Sequence, residues 1–67
     1  MVPETVDVKA IRSQLGMSQS QFARIFGFRL GTLQNWERGN RRPEGAARVL
    51  LTVIEQRPKA VLDALID

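Results

Sequence analysis

Glycine and proline punctuate this chain so closely that no element can be long: Gly16, Gly27, the stretch from Gly39 to Pro43, and Pro58 separate five short helical pieces within 67 residues. None of the pieces alternates apolar and polar residues as a half-buried strand does, and several carry apolar residues at helical spacing. The expectation is an all-α fold, a compact five-helix domain spanning residues 1–67, with residues 1–6 as a short loose arm. A chain of this size buries a modest fraction of its surface, so a partner subunit is a natural source of further stability.

The first helix is expected over residues 8–15, capped by Asp7, with Val8, Ile11 and Leu15 on one face and Gly16 as its left-handed terminator. Ser18 followed by Gln21 is a capping box, opening a second helix whose apolar face is Phe22, Ile25 and Phe26 and which Gly27 ends. A third helix follows over 30–38. Gly-Asn-Arg-Arg-Pro at 39–43 forms a basic loop, and Pro43 and Glu44 open a long helix to about Gln56. Arg57 precedes a proline and leaves the helix, and Pro58 opens the last one, to about Ile66.

Composition removes whole classes of chemistry. There is no cysteine and no histidine, hence no disulfide, Cys/His zinc site, thiol nucleophile or imidazole acid–base pair. No enzyme activity, metal or other cofactor is expected. The longest apolar run is far short of a membrane span, and the start Met1-Val2-Pro3 lacks the charged and apolar regions of a signal peptide. The expected location is the cytoplasm, in association with the nucleoid, and no membrane contact is expected.

The net charge is +3, but its position matters more. Residues 24–48 hold six arginines against two glutamates, and the rest of the chain is slightly acidic. Arginine suits bidentate recognition of phosphates and base edges.

Within 18–38, Phe22, Phe26, Phe28, Leu33 and Trp36 combine with a small residue at Ala23 and a glycine turn at Gly27. Two helices crossing steeply over a short turn need those two residues: a small side chain where the axes approach, and tolerance of positive φ. This is a helix-turn-helix pattern. At 100° per residue, the third helix turns Leu33, Trp36 and Glu37 to one side and Gly31, Gln34, Asn35 and Arg38 to the other, with Leu30 at the edge. The outward set offers donors and acceptors matched to base edges.

The stretches L-G-M-S-Q-S-Q-F-A at 15–23 and T-L-Q-N-W-E-R-G at 32–39 resemble the Xre/Cro-type helix-turn-helix family, over residues 7–58. W-E-R-G-x-R-x-P, the apolar helix after it and P-x-A-V-L-x-A-L resemble HigA-like antitoxins within that family. The resemblance implies a lambda-repressor-like fold and a sequence-specific repressor of a double-stranded, pseudo-palindromic operator, autoregulating as antitoxins of this kind do. It also implies an alternative in which the main role is binding and neutralising a partner toxin. By position it assigns Gln19 to a phosphate clamp, Arg29, Leu30, Gly31, Thr32, Gln34 and Asn35 to base reading, and Asn40, Arg41 and Arg42 to the sugar-phosphate backbone, and the outward-facing Arg38 joins this DNA-binding set. Arg12 and Glu37 fall where the family has a structural ion pair.

The last two helices carry more apolar surface than one core contact needs: Val49, Leu50, Leu51, Val53 and Ile54, then Val61, Leu62, Leu65 and Ile66. A homodimer is expected, with Leu51, Ile54, Val61, Leu62, Leu65 and Ile66 at its interface, setting the two recognition helices about 34 Å apart.

Overall fold

Side-chain caps set the first two helices of the fold. Asp7 Oδ1 accepts from the Ala10 amide at 3.0 Å to open α1 (Val8–Gln14), with Leu15 as its C-cap. Ser18 Oγ accepts from the Gln21 amide and Gln21 Oε1 accepts from the Ser18 amide, a reciprocal box that opens α2 (Gln19–Phe26). Gly27 ends α2 at φ 77°, a left-handed conformation that a side chain would strain. Three more helices follow: α3 (Leu30–Arg38), α4 (Gly45–Gln56) and α5 (Pro58–Ile66). The computed structural model describes residues 2–66; Met1 and Asp67, the ends of the expected 1–67 domain, lie outside them. Among the described residues there is no strand, and no helix is long and apolar enough to cross a membrane.

The core is built from Val8 and Ile11 of α1, Phe22, Ala23 and Phe26 of α2, Leu33 of α3, and Leu51 and Ile54 of α4. Burying one side chain of leucine or phenylalanine size is worth about 1.5–3 kcal/mol. α1 packs on both α3 and α4, α2 packs on α3, and α5 packs on α4. Ala23 of α2 is buried in this core, and α2 packs on α3, an arrangement that a small side chain suits. An aromatic chain then ties α2 through the turn to α3. Phe22 lies 4.7 Å from Phe26 between ring centroids, and Phe28 meets Trp36 edge-on at 5.0 Å.

Two expectations are corrected. The fourth helix starts at Gly45, not at Pro43 and Glu44: Glu44 is extended, Pro43 is buried in the turn, and Gly45 enters the helix at φ 57°. Only glycine makes that entry without strain, and it redirects the chain after the basic loop. Leu51 and Ile54 do not belong to a dimer interface, because they are 0% and 1% exposed within this chain's own core. Val49 and Val53, on the opposite side of α4, are the large exposed apolar residues of that helix. On α5, Val61 and Leu62 are half-buried against the core, whereas Leu65 and Ile66 are exposed.

Candidate nucleic-acid interface

α3 has one packed and one open side. Leu33 is fully buried and Trp36 half-buried, while Arg29, Leu30, Gly31 and Arg38 are exposed and Thr32, Gln34 and Asn35 are half-buried. The half-burial of the two amide side chains has a cause. Gln34 Nε2 reaches Gln19 Oε1 of α2 at 3.4 Å, and Asn40 Nδ2 of the loop reaches Asn35 Oδ1 at 3.4 Å. Each of the two is steadied by a neighbouring element.

Behind Gln19 stands an ionic anchor. Arg12 donates from Nε to Glu37 Oε2 at 2.7 Å and from a terminal nitrogen to Glu37 Oε1 at 2.8 Å, a bidentate pair between α1 and α3. Its third donor reaches the Met17 carbonyl at 3.0 Å, tying in the α1–α2 turn. Glu37 Oε1 also accepts from Gln19 Nε2 at 3.2 Å. The hydrogen bonds from Arg12 hold the Glu37 carboxyl below its ordinary range, against the opposing effect of burial, and Gln19 adds to the lowering. The same contact raises Arg12. Arg12, Glu37, Gln19 and Gln34 therefore form one chain from the ion pair to the open side of α3.

The basic loop is fixed to the end of the same helix. Gly39 caps α3, and the Asn40 and Arg41 amides both donate to the Asn35 carbonyl, at 3.0 and 3.4 Å. Asn40, Arg41 and Arg42 are all exposed. Among the described residues Arg29, Arg38, Arg41 and Arg42 make no ion pair; the two pairs present are Arg12–Glu37 and Lys59–Asp63. Four arginines thus flank the open side of α3 with their charges uncompensated by a protein carboxylate. Arg29 is the N-cap residue of α3 and offers no side-chain cap, so the first-turn amides of α3 gain no capping acceptor from it.

Gln19, Gln34, Asn35 and Asn40 are brought together at the junction of α2, α3 and the loop, whereas the residues expected at the dimer interface lie on α4 and α5. The tether from Glu37 to Gln19 was not anticipated from the sequence. The two residues are 18 positions apart on different helices, and no local spacing signals such a contact.

Two packed helices joined over a glycine turn, with a polar helix face turned outward beside arginines that make no ion pair among the described residues, define a helix-turn-helix domain. The helix-turn-helix family model matches residues 8–46, more than half of the chain. The chain belongs to the Xre/Cro-type helix-turn-helix family, whose members are DNA-binding regulators, and its fold is lambda-repressor-like. It is similar to a protein named Antitoxin HigA-2 from Vibrio cholerae serotype O1, 36% identical over 55 residues, which is 82% of this chain and 53% of that protein. The chain spans about half the length of this curated relative. No solved structure matches it.

Proposed function

We propose that this chain is a sequence-specific repressor of double-stranded DNA, an autoregulating antitoxin of the HigA type, acting in the cytoplasm as a homodimer on a pseudo-palindromic operator. The observation that carries the reading is the open side of α3, where Gln34 and Asn35 are tethered side chains between four arginines that make no ion pair among the described residues. Tethered amides suit base edges, because less rotamer entropy is lost when they bind. Gln19, Asn40, Arg41 and Arg42 are assigned to the sugar-phosphate backbone, and Arg29, Leu30, Gly31, Thr32, Gln34, Asn35 and Arg38 to the groove.

The two assignments separate in a binding experiment. Asn35→Ala and Arg29→Ala are each expected to lose about 1–3 kcal/mol of discrimination between operator and random duplex, while Arg42→Ala weakens both about equally. Affinities on the two duplexes measure this, and an Arg42→Ala variant as selective in its loss as Asn35→Ala contradicts the division.

For the dimer, the corrected surface is Val49 and Val53 of α4 with Leu65 and Ile66 of α5, which are between 43% and 66% exposed. A second copy is the occupant that a twofold operator requires. Val53→Glu combined with Leu65→Glu touches no core residue, so the fold is expected to persist while sedimentation shifts from dimer to monomer. Operator affinity then falls about 100-fold or more, because the two half-sites are no longer engaged by one particle. A double variant that remains dimeric contradicts this surface. The name of the relative favours a further role in binding a toxin protein. Co-expression with the product of the adjacent gene, followed by co-purification, tests that role.

A further inference from the structure

Two features at the start of α3 have no explanation within the folded chain. Leu30 is a large apolar side chain left 40% exposed on a helix side otherwise made of polar groups. Gly31 has an ordinary helical φ, so it is not there for a left-handed turn, and a Cβ added to it meets nothing within 4 Å. Glycine in a helix weakens it relative to alanine, and here neither conformation nor packing compensates. What remains is an external surface approaching the first turn of α3, close at Gly31 and apolar at Leu30.

We propose that Leu30 reads a thymine 5-methyl group in the major groove and that Gly31 is kept bare so that the α3 backbone can come near enough for it to do so. The inference rests on the DNA-binding reading above. The major groove offers one exposed apolar group on a base, the thymine methyl, and a leucine placed over any other base edge would cover polar atoms without pairing them. Leu30 therefore selects thymine by contact and disfavours other bases by desolvation. Gln34 and Asn35, one turn further along α3, contribute hydrogen bonds and Leu30 the apolar contact.

The test begins with a duplex enriched by the protein itself from a random pool, in which each thymine is then replaced singly by deoxyuridine, removing only the methyl. One position per half-site is expected to lose about fourfold in affinity, the effect of one buried methyl. The same replacement is expected to have no effect on Leu30→Ala, a variant that folds normally because the position is exposed. Gly31→Ala is expected to raise the midpoint of thermal unfolding by about 3–8 °C, through better helix propensity, while operator affinity falls about tenfold. A gain in stability with a loss in binding cannot come from misfolding. Enrichment of a sequence with no methyl-sensitive position, or methyl sensitivity retained in Leu30→Ala, overturns the assignment of Leu30 alone. Unchanged binding by Gly31→Ala overturns the role of the glycine. A pool from which no sequence is enriched overturns the repressor reading and this inference with it.

Discussion

Glu37→Ala is expected to cost about 2–4 kcal/mol of folding stability, a large part of what a domain of this size possesses. The loss has two sources. The Arg12 side chain is only 15% exposed and loses both of its carboxylate bonds, and Gln19 loses the acceptor that orients it. Removing one partner leaves the other charge partly desolvated and unpaired, which costs more than the pair contributed. Glu37→Gln keeps the shape and one acceptor, so its cost is smaller. Urea unfolding at neutral pH measures both.

The pH dependence has a definite sign. The folded chain holds the Glu37 carboxyl below its ordinary value, so the unfolded chain binds a proton at a higher pH than the folded one does. The stabilisation is complete above the ordinary carboxylate pKa of about 4.3 and is lost as pH falls through the lowered folded value. The stability gap between wild type and Glu37→Gln should be flat above about pH 5.5 and shrink below about pH 4. Arg12 titrates too far into the alkaline range to contribute to this profile.

The largest expected effect on function is that of salt. Among the described residues Arg29, Arg38, Arg41 and Arg42 are exposed and make no ion pair. A dimer that puts some of them, with Gln19 and main-chain amides, against the backbone neutralises roughly six phosphates. Log affinity should then fall against log salt with a slope of about −5, a loss of about 1,000-fold between 50 and 200 mM. Arg42→Ala, which removes one contact from each half-site, should make the slope shallower by about 2. A slope near zero contradicts any assignment of these arginines to phosphates.

The parts of this fold that were legible in the sequence are those set by local chemistry. Asp7, the Ser18–Gln21 box and Gly27 each act within a few residues, and each closes the hydrogen bond or adopts the φ that its residue type permits. The entry to α4 differs from the sequence expectation because Pro43 and Glu44 are good first-turn residues, whereas Gly45 takes a positive φ and starts the helix after them. Leu51 and Ile54 depart from expectation for another reason. α4 carries apolar residues around much of its circumference, and nothing local states which side meets α1 and α5; tertiary packing chose that side and left Val49 and Val53 outside. The tethers from Glu37 to Gln19 and from Gln19 to Gln34 join residues 18 and 15 positions apart, so they arise only once α2 and α3 have crossed.

On the proposed function, the open side of α3 reads DNA sequence. The most direct test of this claim is the affinity of the wild-type protein for its enriched duplex against a scrambled duplex of the same composition, both at about 150 mM salt. The expected result is a preference of about 1,000-fold or more for the enriched duplex. Equal affinity for the two duplexes, with the salt slope intact, would show a basic surface that binds the backbone alone and would contradict the claim.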